Sequence, residues 1–138
     1  MQTLVFFEKP GCISNAKQKK LLSAAGIPFT TENILEYAWD PLSLAPFFSG
    51  TPVVEWINPN APAVKDGEID PTQVTEHEAL AMMVNSPILI RRPLIQVGNL
   101  KWAGFDLPYI AEILGVSGDY ASTQGIESCS HPKKGECD

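Results

Sequence analysis

The chain opens on a short apolar run, Leu4-Val5-Phe6-Phe7, closed by Pro10-Gly11. Being short and β-branched or aromatic, it predicts a buried strand over residues 3 to 7. The period then lengthens. From about residue 13 to Ala25, Leu21, Leu22 and Ala25 supply an apolar stripe, the lysines a wet face and Gly26 a stop, which predicts a helix. Ile27 to Ile34 reads as a second strand, with Pro28 near its start, where a missing amide hydrogen is tolerated. Strand, helix and strand within the first 34 residues imply a right-handed βαβ unit with parallel strands, one half of an α/β fold.

The middle of the chain carries helix-start signals. Asp40-Pro41 and Thr51-Pro52 each place a capping residue before a first-turn proline, and Thr75 with Glu78 forms a capping box. Asn58-Pro59-Asn60-Ala61-Pro62 breaks the segment, so residues 40 to 86 read as a small helical insertion. Strand pattern returns with Ile88-Leu89-Ile90, then after Arg91-Arg92-Pro93 with Leu94-Ile95-Gln96-Val97, a turn at Gly98-Asn99 and Leu100-Lys101-Trp102, a β-hairpin. Asp106-Leu107-Pro108 opens a last helix, with Ile110, Ile113 and Leu114 as its apolar face and Gly115 as its stop. The expectation is one domain over residues 1 to 115 and a flexible polar tail over residues 116 to 138.

Composition narrows the function classes. No run of about 18 apolar residues exists, and the first thirty residues lack a signal-peptide pattern, so a cytoplasmic protein without a membrane span is expected. Three cysteines, one far from the other two, do not make a secreted disulfide framework. A net charge of −6 argues against nucleic-acid binding. Residues 32 to 78 hold nine acidic groups against Lys65 alone, whereas Lys9, Lys17, Lys19 and Lys20 surround Cys12. Cys12 also stands where the first helix begins, and the partial positive charge at a helix N-terminus favours thiolate over thiol. A plain buried or free thiol is the competing reading. His77, between Glu76 and Glu78, reads as a surface residue.

A βαβ start with cysteine at the first strand–helix turn, plus a distant hairpin entered through a proline, is the layout of a thioredoxin-like domain. Glu8-Lys9-Pro10-Gly11-Cys12, the lysine-rich helix after it, Pro87-Ile88-Leu89-Ile90-Arg91-Arg92-Pro93-Leu94-Ile95 and Trp102-Ala103-Gly104-Phe105-Asp106 resemble the arsenate reductase (ArsC) and Spx-like family over about residues 1 to 115. The Lys-Pro-Gly-Cys start, Gly67-Glu68-Ile69-Asp70 and the cysteine-bearing tail are most similar to its nitrogenase-associated subgroup. The resemblance implies a mixed glutaredoxin-like sheet with a helical insertion, Cys12 as nucleophile and Arg92 as the anion-holding residue. It places Lys9, Ser14, Arg91 and a cis Pro93 around the substrate. It further implies no tightly bound cofactor, glutathione or glutaredoxin as thiol partners, and an association with nitrogenase-related proteins.

Departures from that pattern bear on the substrate. Arsenate reductases of this type hold their oxyanion with three arginines, whereas this chain has two in total, adjacent at Arg91 and Arg92. Neighbours in a strand point to opposite faces, so at most one is expected to face Cys12, with Lys65 or Lys101 as stand-ins that lack the guanidinium fork. The family's arginine four positions after the cysteine is Ala16 here. Cys12-Ile13-Ser14-Asn15 has no second cysteine, which leaves a monothiol route resolved by another thiol. Cys129, His131 and Cys137 in the tail offer either that resolving thiol, three ligands of a metal site one short of closure, or incidental solvated groups. Two functions follow: a thiol-dependent oxidoreductase of the ArsC type, or a non-catalytic Spx-like or nitrogenase-associated regulatory module on the same scaffold.

Overall fold

The computed structural model describes residues 3–116. Strand β1 (Leu4–Glu8) leads through a Pro-Gly turn into helix α1 (Ile13–Ala24), and β2 (Phe29–Asn33) returns parallel to β1. The insertion holds α2 (Pro41–Leu44), α3 (Pro62–Lys65) and α4 (Glu76–Asn85), with 3-10 turns at Ala45–Phe48, Val53–Glu55 and Pro87–Leu89. A hairpin of β3 (Leu94–Val97) and β4 (Leu100–Ala103) and a final helix, α5 (Leu107–Leu114), complete the fold. The four-stranded mixed sheet has the order β2-β1-β3-β4, with β3 antiparallel to both of its neighbours.

Side-chain alternation along β1 and β3 feeds two cores. Leu4, Phe6, Ile95 and Val97 face Leu22, Ile27, Phe105, Leu107 and Ile110, so α1 and α5 cover one side. Phe7 and Leu94 face Ile34, Trp39, Phe47, Phe48, Trp56 and Met83, so the insertion covers the other. The outer strand β2 keeps Thr30, Thr31 and Glu32 exposed, a polar edge that discourages pairing with another chain.

Caps set the helix ends. Asp40 and Ser43 form one reciprocal capping box and Thr75 and Glu78 another, while the Asp106 carboxylate accepts from the Tyr109 amide. Both long flanking helices end in the same way. At α1, Gly26 (φ 73°) donates to the Ser23 carbonyl and Ile27 to that of Leu22; at α5, Gly115 (φ 71°) donates to Glu112 and Val116 to Ala111. These paired bonds satisfy last-turn carbonyls, and each seats the following apolar residue on the core.

Four expectations need correction. Residues 88–90 are not a strand: Pro87 starts a 3-10 turn, and Ile90 alone pairs, through an isolated bridge to Ile57. Thr51 does not cap a regular helix, because Pro52 leads only into the 3-10 turn Val53–Glu55, which has no side-chain cap. Val116, expected in the tail, belongs to the α5 terminus and packs on the core. The stripe of α1 is also different: its buried residues are Ser14, Asn15, Gln18 and Leu22, with Leu21 and Ala25 only partly covered.

The Gly26 terminus provides a test. A Cβ there would meet nothing within 4 Å, so Gly26→Ala should destabilise through backbone conformation alone, by about 1–2 kcal/mol in urea titration. Gly26→Asn should lose less, since asparagine tolerates the left-handed region.

Candidate functional site

The hydrogen bonds around Cys12 begin with a reverse turn. Cys12 donates its amide to the Lys9 carbonyl at 3.1 Å, with Pro10 and Gly11 (φ 84°) between them. Proline followed by a positive-φ glycine is the combination a type II turn requires. Cys12 is then the N-cap residue of α1: its carbonyl accepts from Ala16 at 3.0 Å, and its side chain makes no capping hydrogen bond. The thiol position therefore lies at the positive end of the helix, where first-turn amides lack intrahelical acceptors. Cys12 is 2% exposed. Its sulfur is held in a disulfide in this structure, and Cys12 is the sole cysteine among the described residues. The expected tail group Cys129, His131 and Cys137 lies outside them.

The β1–β3 register brings the second half of the site into place. Phe7 pairs with Leu94, so the end of β1, from which the Cys12 loop departs, adjoins the Arg92-Pro93 entry to β3. The Arg92–Pro93 peptide is cis, and the Pro93 carbonyl accepts from Gly104 at 2.9 Å. Arg92 is 2% exposed. Arg91 is half-buried; its amide donates to the Trp56 carbonyl, and its guanidinium lies 4.0 Å from the Glu55 carboxylate. The two neighbouring arginines thus occupy different environments.

Ser14 is buried on the first turn of α1. Lys9, at the start of the turn, is half-buried and donates its amide to the Asn15 side-chain oxygen at 3.1 Å. Lys19 pairs with Glu8 at 2.7 Å, which ties the outer face of α1 to the end of β1. The lysines considered as stand-ins for arginine have other settings: Lys101 lies 5.7 Å over the Phe47 ring on the insertion side, and Lys65 is exposed in the last turn of α3. His77 is exposed on α4.

Three buried amide side chains were not singled out from sequence. Asn15 and Gln18 lie inside α1's covered face, joined by a 2.9 Å hydrogen bond. Asn58, 3% exposed, lies on the segment that pairs with residues 89–91, and its Nδ2 has no hydrogen-bond partner among the described residues. The signal available for the first pair was their spacing, three residues apart and four before Leu22. In the Gly67-Glu68-Ile69-Asp70 motif Ile69 packs on the insertion core, while at exposed Asp70 the Thr72 hydroxyl and then the Thr72 amide hold the carboxyl below the usual carboxylate range. That is turn chemistry. Among the described residues no cluster of His, Cys, Asp and Glu could hold a metal ion, and no helix is long and apolar enough to cross a membrane.

The unequal arginines make a stability test. Arg91→Ala should lose less unfolding free energy than Arg92→Ala, because its ion pair is long and the Glu55 carboxylate is exposed. Arg92→Ala should lose about 3 kcal/mol in the same urea titration, since it empties a large, fully buried side-chain volume.

Comparison with known proteins agrees with this architecture. A protein from Rhodospirillum rubrum, described as an uncharacterized 15.7 kDa protein in draG 3' region, is 46% identical over 130 residues, covering 94% of this chain and 89% of its own. An ArsC family related protein from Bacteroides fragilis superposes with a TM-score of 0.69 at 26% identity, over 81% of this chain and 98% of that one. An arsenate reductase from Vibrio cholerae shares the fold with a TM-score of 0.64 at 18% identity, over 84% and 98% of the two chains. The mixed sheet with its helical insertion is thus the thioredoxin-like ArsC fold. The ArsC family model matches residues 7–113, from within β1 to within the last turn of α5, and the chain belongs to the ArsC family.

Proposed function

We propose that this protein is a cytoplasmic thiol-dependent oxidoreductase in which Cys12 is the nucleophile and Arg92 stabilises the negative charge that its reaction creates. The observation that carries the reading is the convergence of Cys12, as N-cap of α1, with a buried Arg92 and cis Pro93 at one end of the β1–β3 pair. A thiolate is favoured at a helix start, and a guanidinium offsets developing charge better than a lysine because its donors are fixed in a fork.

The reaction proposed is thiol–disulfide exchange with glutathione. The reduced Cys12 thiolate attacks one sulfur of oxidised glutathione, a Cys12–glutathione disulfide forms, and one glutathione thiolate leaves. A glutaredoxin thiol then attacks the glutathione sulfur of that mixed disulfide and returns Cys12 as thiolate, or Cys129 or Cys137 attacks its Cys12 sulfur, forming an intramolecular disulfide as the second glutathione thiolate leaves. Lys9, Ser14 and Arg91 would line the approach, Arg91 with its charge partly offset by Glu55. No tightly held cofactor enters this scheme. Arsenate is the less favoured substrate, because the chain's only other arginine lies by Glu55.

The second reading is a regulatory module, as in Spx-like proteins, that docks to a partner rather than turning over. The acidic insertion and the reduced arginine set favour it. The resemblance to the nitrogenase-associated subgroup would set either function near nitrogen fixation.

Intact mass after treating reduced protein with oxidised glutathione separates these readings. A Cys12 adduct that is transient in the wild type and persists in a Cys129→Ser/Cys137→Ser variant is expected for resolution by the tail. An adduct cleared only when glutaredoxin is added would assign that step to the partner. Absence of any Cys12 adduct, together with an alkylation profile centred near the ordinary thiol value of about 8.5, would remove the oxidoreductase reading. Arsenate reduction with glutathione and glutaredoxin, abolished by Cys12→Ser, would restore the oxyanion as substrate.

A further inference from the structure

The inner face of α1 is polar where a core-facing helix is ordinarily apolar. Asn15 is 1% exposed and Gln18 is 0% exposed, and burying two amide side chains in place of hydrocarbon is unfavourable unless their hydrogen bonds are made. Those bonds run in one direction. The Lys9 amide can only donate, so the Asn15 oxygen must face it, at 3.1 Å. The Asn15 NH2 group is thereby turned toward the Gln18 oxygen, at 2.9 Å, which orients the Gln18 amide in its turn. The backbone amide held in this way is the first residue of the Lys9–Cys12 turn, and the other end of that turn is closed by the Cys12 amide on the Lys9 carbonyl. Lys9 is therefore gripped by both of its backbone polar groups, one by the helix interior and one by Cys12.

We propose that Asn15 and Gln18 form an internal clamp that fixes the Cys12 turn against α1 and thereby sets the reactivity of the Cys12 thiol. They are positioning residues, and this inference rests on the nucleophile reading given above. The clamp makes the turn and the helix start one rigid body, so that the sulfur stays over the helix terminus. Without it the Lys9 amide loses a buried acceptor, and the turn is free to move away from the first-turn amides. The electrostatic benefit of a helix terminus falls off within one turn, so a displacement of that kind weakens it sharply.

The test uses the full-length reduced protein and the probe iodoacetamide, with Cys12 modification followed by peptide mass spectrometry across pH. Asn15→Ala should slow Cys12 alkylation at pH 7 about tenfold and move the profile midpoint upward, toward that of a free thiol. Gln18→Met, which keeps volume and the Asn15–Lys9 bond but removes the orienting acceptor, should shift the profile in the same direction by less, and serves if Asn15→Ala fails to fold. Amide hydrogen exchange at Lys9 reports the clamp itself: protection should fall in Asn15→Ala and persist in Asn15→Asp, which keeps the acceptor. Variants that lower the melting temperature while leaving both the alkylation profile and Lys9 protection at wild-type values would overturn the proposal, because a purely packing role predicts that result. The wild-type midpoint tests the nucleophile reading alone; the clamp stands or falls on the difference between variant and wild type, whatever that midpoint is.

Discussion

The antiparallel pairing of β1 with β3 is the constraint on which the site depends. Cys12 and Arg92 are 80 positions apart in the chain, and only the Phe7–Leu94 register brings their loops to one end of the sheet. Both cores hold that register. Phe6 and Ile95 pack under α1 and α5, while Phe7 and Leu94 pack under the insertion. A slip of one residue would exchange every side chain between the faces and carry Gln96 into the Leu4–Phe6–Phe105 core, where its amide would have to be buried. The insertion therefore does more than cover a face: it locks the alignment of Arg92 with the Cys12 loop.

Features written in local chemistry were readable from the sequence. The Asp40 cap before Pro41, the Thr75 capping box, the Asp106 start of α5 and the glycine stops at Gly26 and Gly115 each depend on residues within a turn of one another. Two of the misreadings, at residues 88–90 and along α1, turned on partners outside the segment itself. Ile88-Leu89-Ile90 has strand composition, but Pro87 fixes the local backbone, and among the described residues the bridge there is to Ile57, from the insertion. For α1, the lysines and the leucine pair suggested a stripe through Leu21, Leu22 and Ala25. The observed stripe begins instead at Ser14 and Asn15 and passes through Gln18 to Leu22. Polar residues read as solvent-facing unless their acceptors are known, and the donor that Asn15 satisfies belongs to Lys9, before the helix begins.

That polar stripe divides α1 into two functional halves. Its C-terminal half is anchored by burial: Leu22 and Ile27 join the core, and the Gly26 terminus closes the helix onto them. Its N-terminal half is anchored by directional hydrogen bonds. Apolar contacts tolerate sliding, whereas a hydrogen bond weakens steeply when its angle or length is wrong. Holding a sulfur to within a fraction of an ångström calls for the directional kind.

Charge balance at the site bears on what that sulfur meets. A multiply charged oxyanion brings its negative charge before any bond forms, and several cations are needed to remove it from water without a large desolvation cost. Among the described residues, this end of the sheet holds the buried Arg92 guanidinium, the α1 terminus and the half-buried Lys9, while Arg91 lies by Glu55 and Lys101 over Phe47. Attack on a disulfide starts from one thiolate and ends with another, so a single unit of charge has to be held throughout while it moves from the attacking to the leaving sulfur. In the proposed mechanism, Arg92 and the α1 start would meet that requirement. Under the proposed assignment, Arg92 and the helix start alone would leave much of the charge on an arsenate-like ion uncompensated, so the arginine count weighs more there than the position of the cysteine.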